Sequence, residues 1–297
     1  MSTSHPWHGV LVATALPYGP ELDVDFDAFA DHIRWLAESG CDGATPNGSL
    51  GEYPTLTPEE RARVVETAVA AAPPGFAVIP GVAAYGSREA CRWAEQAGDA
   101  GAAAVMLLPP NAYRAPDDAV VAHYRAVAAV GLPVVAYNNP FDTRVDLVPP
   151  LLARLHQEGL IVAVKEFSGD PRRAYQIAEL APGLDLLIGA DDMLLELGIA
   201  GAAGWVSGFT NTFPQSCVEL YRAAVDGQLA DAVARYRVLH PLLRWDSRPE
   251  FVQAVKLSMD LIGRRGGPCR PPRLPLEAAM EADVKAAVSR ALAEGCR

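Results

Sequence analysis

The feature that most constrains the fold is a repeated alternation between short apolar runs and longer segments that carry charged residues at water-facing positions. The apolar runs are rich in Val, Ile, Leu and Ala and have no polar alternate face. That composition is typical of parallel strands covered by helices on both sides. Eight runs are found, at residues 9–14, 42–46, 76–80, 103–108, 133–137, 160–164, 185–189 and 203–207.

Eight strands that alternate with helices predict an α/β protein of the (β/α)8 TIM-barrel class. An open doubly wound sheet is the main alternative, but its dinucleotide-binding form needs G-x-G-x-x-G after the first strand, and residues 13–19 read ATALPYG. Strand signals stop after about residue 212, and only helical segments follow. The sequence therefore predicts a barrel over 1–212 that carries the active site and a C-terminal helical extension over 213–297.

Composition argues against several classes of partner. The formal net charge is −11 and no run of Lys or Arg is longer than two residues, so nucleic acid is not an expected partner. No apolar stretch approaches the ~20 residues that span a bilayer, and residues 1–9 show neither a basic leader nor an apolar core. Five scattered cysteines without a C-x-x-C pair suit reduced thiols. A cytoplasmic protein without membrane association is therefore expected.

A metal site has no support in the sequence, because the six histidines show no H-E-x-x-H or comparable spacing. Polar residues at strand ends deserve more weight, since active sites of parallel barrels lie at the carboxyl ends of the strands. Lys165 follows such an apolar run. Partial desolvation there would lower its pKa and free an amine for attack on a carbonyl carbon. The alternative is a lysine paired with Glu166 or another carboxylate.

Tyr137 ends the run before the one that leads to Lys165, in the segment Tyr137-Asn138-Asn139-Pro140. Adjacent strands would bring the two side chains together, so that the phenol could move protons while a carbinolamine forms and loses water. The alternative is a tyrosine that only packs and hydrogen-bonds. Asn139 of the same segment is a candidate substrate contact.

A glycine-rich turn follows the second strand, with Gly48, Ser49, Leu50 and Gly51 in sequence. Two glycines allow a close approach of backbone to ligand, and the N–H groups of Ser49 and Leu50 could form a small nest for a carboxylate. Taken alone this motif is weak.

Three further polar residues near strand ends are candidate substrate contacts. Asp191 could touch a substrate hydroxyl or imino nitrogen, although acidic residues at 191–192 also suit the capping of the following helix. Ser207 and Asn211 are expected to line the distal part of the pocket.

Together these segments resemble the dihydrodipicolinate synthase / N-acetylneuraminate lyase family, whose pattern is G-x-x-G-E, Y-N-x-P and K-[DE]-x-[ST]-G-D. The corresponding stretches are GSLGE at 48–52, YNNP at 137–140 and KEFSGD at 165–170. The resemblance extends over essentially the whole chain. It implies that Lys165 is the Schiff-base lysine, Tyr137 its proton-transfer partner and Ser49 a hydroxyl that relays protons.

The resemblance also implies a substrate carboxylate held by the backbone of Ser49 and Leu50, no metal or organic cofactor, and a homotetramer or homodimer. Members that make dihydrodipicolinate carry two threonines in the G-x-x-G-E loop and an arginine soon after Y-N-x-P for a second carboxylate. This chain has Ser49 and Leu50 in the loop and Asp142 after the motif. An aspartate would repel that carboxylate, unless Arg144 replaces the missing cation.

The segments also resemble 1-pyrroline-4-hydroxy-2-carboxylate deaminases of hydroxyproline degradation, including PLLRWD at 241–246. This likeness implies attack of Lys165 on the cyclic imine, ring opening, loss of the 4-hydroxyl and release of ammonia and 2,5-dioxopentanoate. Other enzymatic hypotheses are a 2-keto-3-deoxy sugar acid dehydratase or aldolase acting through pyruvate-like imines, and the synthase itself. A barrel that binds a small 2-oxo or imino acid without catalysis is the non-enzymatic alternative.

Overall fold

The structure, a computed structural model, describes residues 5–297 and contains eight parallel strands. Residues 1–4, which include the start of the predicted barrel domain and part of the segment inspected for a leader, lie outside the described residues. The strands are β1 (Gly9–Ala13), β2 (Gly43–Thr45), β3 (Ala77–Val78), β4 (Val105–Leu107), β5 (Val134–Asn138), β6 (Ala163–Glu166), β7 (Asp185–Ile188) and β8 (Gly204–Ser207).

The strands form one sheet that closes on itself. Its order is β3-β2-β1-β8-β7-β6-β5-β4, and each pairing within it is parallel. The two outer strands are joined just beyond β3, where Val82 N–H donates to Met106 O and Met106 N–H donates to Pro80 O, both at 2.9 Å. The (β/α)8 barrel is therefore confirmed, and the open doubly wound alternative is wrong.

Helices connect the strands and cover the barrel. They are α1 (Phe26–Glu38), α2 (Pro58–Ala71), α3 (Ser87–Ala100), α4 (Asp117–Ala128), α5 (Pro140–Thr143), α6 (Pro149–Gln157), α7 (Arg172–Leu180), α8 (Leu194–Ile199), α9 (Pro214–Val225), α10 (Leu229–Leu243), α11 (Phe251–Leu261) and α12 (Ala278–Ala293). Among residues 5–297 no helix combines the length and apolar character required to cross a membrane.

Every predicted strand differs from the observed strand at one or both ends, and the sixth strand differs most. The sixth strand was predicted to end at residue 164, but Lys165 and Glu166 continue the ladder and pair with β5 and β7. The apolar residues Leu160 and Ile161 precede the strand and fill the core instead. The helical segment after β7 begins with a 3-10 turn, Asp191–Met193, before α8.

The C-terminal helices pack against the barrel and against one another. Helix α9 contacts α8 and β1, α10 packs on α9, and α12 packs on α10 and α11. Because α9 contacts β1, it follows β8 in the way that earlier helices follow their strands. A division between barrel and extension at residue 212 stays a prediction.

A buried ion pair fastens this C-terminal part to the glycine-rich loop. Lys256 Nζ on α11 lies 2.8 Å from Glu52 Oε1, and both side chains are 1% exposed. Lys256 also donates to Pro268 O at 2.7 Å, while Arg270 N–H donates to the other Glu52 oxygen at 2.9 Å. These bonds compensate the desolvation of two charges. Removing one partner would therefore leave the other charge buried and unpaired.

We expect Lys256→Met to lower the free energy of unfolding by about 3–5 kcal/mol, because it leaves the Glu52 carboxylate buried without its cation. Urea unfolding measures the loss. Lys285→Met is the matched control: its exposed pair with Glu281 on α12 should contribute no more than about 0.5 kcal/mol. Equal effects of the two substitutions would contradict the structural role of the Glu52–Lys256 pair.

Candidate active site

One large cavity opens at the carboxyl ends of the strands and has a volume of about 1290 Å³. Its floor includes side chains from β5 and β6, one wall is the loop at 47–55, and the opposite wall comes from C-terminal residues 246–253 and 272–280. The C-terminal part therefore completes the cavity as well as covering the barrel.

Lys165 lies on the cavity floor and is only 7% exposed. Its Nζ lies 4.2 Å from the centre of the Tyr137 ring, and within residues 5–297 it has no hydrogen-bond acceptor or carboxylate partner at bonding distance. Burial lowers the pKa of Lys165, although the carboxylates of Asp246 and Asp191 act in the opposite direction. Burial thus makes the amine easier to deprotonate than an exposed lysine.

Glu166 is not the partner of Lys165, so that alternative is wrong. Successive residues of a strand point to opposite faces, and the Glu166 carboxylate accepts hydrogen bonds from Asn138 Nδ2 at 3.0 Å and from Ser168 N–H. It lies on the helix side of the barrel wall, where it ties β5 to the loop after β6.

Tyr137 pairs directly with Lys165 in the register of β5 and β6. Its hydroxyl accepts a hydrogen bond from Asn139 Nδ2 at 3.3 Å, and the same amide donates to Asp142 Oδ2 at 2.8 Å. Burial, followed by the negative charge of Asp246, raises the pKa of Tyr137. The phenol is therefore protonated at neutral pH and can donate to an oxygen beside the lysine.

The glycine-rich loop borders the same cavity through Gly48, Ser49 and Leu50, whereas Gly51 lies beneath the lining. Within the described residues the N–H groups of Ser49 and Leu50 donate to no protein acceptor. A Cβ added at Gly81 would lie 2.4 Å from Asn47 O. The loop thus packs directly on the chain after β3, and its two free donors remain available.

Asp191, Ser207 and Asn211 are fully buried and do not line the cavity. Asn211 Oδ1 accepts from Ala15 N–H at 3.1 Å, and its Nδ2 donates to Ala13 O at 2.7 Å, which joins the ends of β1 and β8. The structure does not bring these three side chains to the cavity surface, so their role as substrate contacts stays a prediction.

The Asp191 carboxylate is turned toward the end of β8. It accepts from Trp205 Nε1 at 2.9 Å, from Ser207 Oγ at 3.2 Å and from the N–H groups of Gly208 and Phe209. The alternative interpretation of Asp191 as a cap of its own following helix is wrong, because those donors belong to the next strand and its loop.

Asp246 is the acidic residue that the sequence analysis missed as a site residue. It follows α10, lines the cavity, and accepts a hydrogen bond from Asp191 N–H at 3.2 Å through Oδ2. Burial raises its pKa to about 6, against the opposing effect of Lys165. The PLLRWD segment at 241–246, which ends at Asp246, and the buried Trp245 within it are the sequence signals that point to this turn.

A second polar cluster lies at the opposite, amino-terminal end of the barrel. His8 Nε2 is 2.8 Å from Asp185 Oδ2, and one ligand atom from each of His5, His8 and Asp185 lies within 4.8 Å of the others. Such a set could hold a divalent cation. It is remote from the cavity, and the prediction of a catalytic site without metal stays a prediction.

Comparison with known proteins places these features in context. A model described as the dihydrodipicolinate synthetase family matches residues 6–291. The chain is 35% identical over 282 residues to an uncharacterised DapA-like lyase of Halobacterium salinarum, covering 93% of each chain. It is 33% identical over 274 residues to a 4-hydroxy-tetrahydrodipicolinate synthase of Gluconacetobacter diazotrophicus, covering 90% of this chain and 91% of the relative.

Solved structures agree with this comparison. Dihydrodipicolinate synthase from Aquifex aeolicus superimposes with a TM-score of 0.91 at 28% identity, covering 96% of this chain and 98% of that one. The 4-hydroxy-tetrahydrodipicolinate synthase of Methylacidiphilum fumariolicum gives a TM-score of 0.92 at 27% identity, covering 97% and 96%.

Proposed function

The chain belongs to the dihydrodipicolinate synthetase family, and from that premise we propose that it is a lyase that forms a Schiff base with a small 2-oxo or imino acid through Lys165. The carrying observation is the isolated position of the Lys165 amine, which is buried, has no carboxylate at bonding distance among residues 5–297, and lies in register with Tyr137. Desolvation makes an amine easier to deprotonate, and the deprotonated amine is the nucleophile.

The chain offers few competing amines. It contains three lysines, Lys165, Lys256 and Lys285. Lys256 is held in the buried pair with Glu52, and Lys285 lies on α12 beside Glu281. Only Lys165 lines the cavity, so the assignment of the nucleophile does not depend on a choice among similar groups.

Tyr137 is the proposed proton-transfer group. When Lys165 Nζ adds to the substrate carbon, the carbonyl oxygen becomes a hydroxyl that must leave as water, and a protonated phenol beside it can supply the proton. Asn139 orients the phenol. Ser49 is the proposed relay from this phenol toward solvent, and the free N–H groups of Ser49 and Leu50 are the proposed carboxylate site.

Among substrates we favour 1-pyrroline-4-hydroxy-2-carboxylate, which brings one carboxylate and a hydroxyl that must depart. Asp142, which follows β5, lines the cavity. Arg144 is exposed at the end of α5 and does not line the cavity. Arg144 is therefore poorly placed to serve a second carboxylate. The proposed products are ammonia and 2,5-dioxopentanoate.

The synthase reaction is the second candidate, favoured by the name of the Gluconacetobacter diazotrophicus relative. Arg248 and Arg273 on the C-terminal wall could meet a second carboxylate. However, Arg273 is engaged with Pro249 O, and Arg248 stacks over the Trp245 ring. A sugar acid dehydratase or aldolase would use the same lysine. Cytoplasmic location and assembly as a homotetramer or homodimer remain proposals.

We expect borohydride added with pyruvate to fix a covalent adduct on Lys165, because reduction converts a Schiff base into a stable secondary amine. Intact-mass analysis followed by peptide mapping identifies the modified residue. Lys285→Ala should gain the same mass as the wild type, and Lys165→Ala should gain none. An unchanged adduct in Lys165→Ala would contradict the assignment of Lys165 as the nucleophile.

Tyr137→Phe should reduce turnover ~10²–10⁴-fold, because it removes the phenolic proton and keeps the ring that covers Lys165. Steady-state rates measure the loss. Tyr124→Phe is the matched control: this buried tyrosine donates to Leu107 O at 2.8 Å and does not line the cavity. Its removal should cost stability and spare turnover, and near-normal turnover of Tyr137→Phe would leave Tyr137 a packing residue.

Ammonia release from 1-pyrroline-4-hydroxy-2-carboxylate should exceed dihydrodipicolinate formation from pyruvate and aspartate semialdehyde by orders of magnitude. The semialdehyde carries a carboxylate that would approach the exposed Asp142 carboxylate of the cavity lining, and repulsion between these like charges disfavours binding. Coupled assays on one preparation compare the two rates. Dominant condensation would instead establish the synthase reaction.

A further inference from the structure

The cavity contains an acid that the Schiff-base proposal does not use. We infer that Asp246 is the general acid that protonates the departing 4-hydroxyl of the substrate, and that Asp191 positions it. This inference rests on the proposed function, since a leaving hydroxyl exists only if Lys165 first forms an imine with a hydroxylated acid. It assigns a catalytic role to a residue of the C-terminal part.

Asp191 and Asp246 differ in their hydrogen bonding. Both oxygens of Asp191 accept hydrogen bonds, from Trp205, from Ser207 and from backbone N–H groups beyond β8. A proton on Asp191 would displace an N–H donor or force the Ser207 hydroxyl to reverse its hydrogen bond. Asp246 Oδ2 accepts one bond, from Asp191 N–H, whereas Oδ1 has no donor within residues 5–297. A proton shared by the pair therefore resides on Asp246, at the oxygen that is free.

The position of the free Asp246 oxygen, Oδ1, also distinguishes the two acids. Asp246 lines the cavity and Asp191 does not. A Cβ added at Gly208 would lie 3.0 Å from Asp246 Oδ1 and 3.7 Å from Asp191 Oδ2. The two carboxyl groups thus approach each other across this glycine. Asp246 occupies the layer nearer the substrate, with Asp191 beneath it.

The charges of the Asp191 and Asp246 carboxyl groups influence each other. Two buried carboxyl groups this close cannot both ionise at low cost, and they titrate as a pair. Burial raises the pKa of Asp246 to about 6, and burial together with Asp246 raises the pKa of Asp191. The groups that face Asp246 are Lys165 from β6, Tyr137 from β5, and Asp191 and Asp192 after β7.

The step balances without an additional reagent. In the enamine, the nitrogen lone pair re-forms the C2=N bond of the iminium and the C2=C3 pair becomes the C3=C4 bond. The C4–O bond breaks, and its electron pair takes the proton of Asp246, so that water leaves and Asp246 becomes a carboxylate. The substrate loses one proton from C3 in the earlier step and gains one proton from Asp246 in this step. Its net change is therefore the loss of one water.

Asp246→Asn is the central test, because the amide keeps the size of the carboxyl group and cannot act as an acid at neutral pH. Ammonia release from 1-pyrroline-4-hydroxy-2-carboxylate should fall ~10²–10⁴-fold in kcat, with KM changed by a few-fold at most. Borohydride trapping with pyruvate should remain at the wild-type extent, since pyruvate has no hydroxyl to expel.

Two further variants separate catalysis from packing. Asp31→Asn removes an exposed carboxylate that pairs with Arg34 on α1 and does not line the cavity, and this variant should keep wild-type turnover. Asp246→Glu should retain part of the activity. Because the acid must be protonated, wild-type kcat should decline as pH rises above about 6. That alkaline limb should move in Asp246→Glu and vanish in Asp246→Asn.

The outcomes are distinct. Wild-type protein that gives no pyruvate adduct refutes the proposed function and, with it, the role of Asp246. If the wild type is trapped, four results would each overturn the inference alone: near-normal turnover of Asp246→Asn, an unchanged alkaline limb in that variant, equal loss of trapping and turnover, or no release of ammonia from the hydroxylated substrate by the wild type.

Discussion

The closed ring of parallel backbone hydrogen bonds sets the position of every group in the cavity. Paired residues of neighbouring parallel strands lie at the same level of the barrel. The pairing of Tyr137 with Lys165 therefore determines how close their side chains lie. The ring also separates neighbours along the chain. Lys165 faces the inside while Glu166 faces the helices, and the nearest acidic residue in sequence is thereby kept away from the amine.

The barrel alone would leave this rim open to water, and the C-terminal part changes its character. Lys256 reaches the base of the glycine-rich loop through Glu52, and Asp246 reaches the end of β8 through Asp191. Both connections bury charge or potential charge, which requires well-placed hydrogen bonds to be tolerated. The same helices that stabilise the loop therefore also lower the local dielectric around Lys165 and raise the pKa of Asp246.

Much of this arrangement could be predicted from local patterns. The alternation of apolar runs and amphipathic segments gave the barrel, and a lysine and a tyrosine at the ends of consecutive strands had to meet because consecutive strands are neighbours in such a barrel. The side-chain direction of Asp191, Ser207 and Asn211 could not be predicted in this way. A position near a strand end does not determine whether a side chain points into the cavity or beneath it.

Contacts over long sequence distances were beyond the reach of these patterns. Glu52 and Lys256 are 204 residues apart, and Asp191 and Asp246 are 55 apart. Neither pair has a periodic signature. The PLLRWD segment at 241–246 carries a resemblance, but it does not show that the turn after α10 folds over β8 and delivers an acid to the cavity. Only tertiary packing brings these groups together.

The proximity of Lys165 and Asp246 couples the charge of the nitrogen to the acidity of the carboxyl group. While the nitrogen is a neutral amine or a neutral enamine, burial and the nearby Asp192 carboxylate favour the protonated form of Asp246, and the hydrogen bond from Asp191 N–H opposes them. As the C4–O bond breaks, positive charge returns to the nitrogen, and a cation near Asp246 favours its carboxylate. Below about pH 6 the acid is thus protonated before bond cleavage, and it releases its proton more readily as positive charge returns to the nitrogen. Such an arrangement stabilises the transition state more than the ground state, which is the requirement for acceleration of the chemical step.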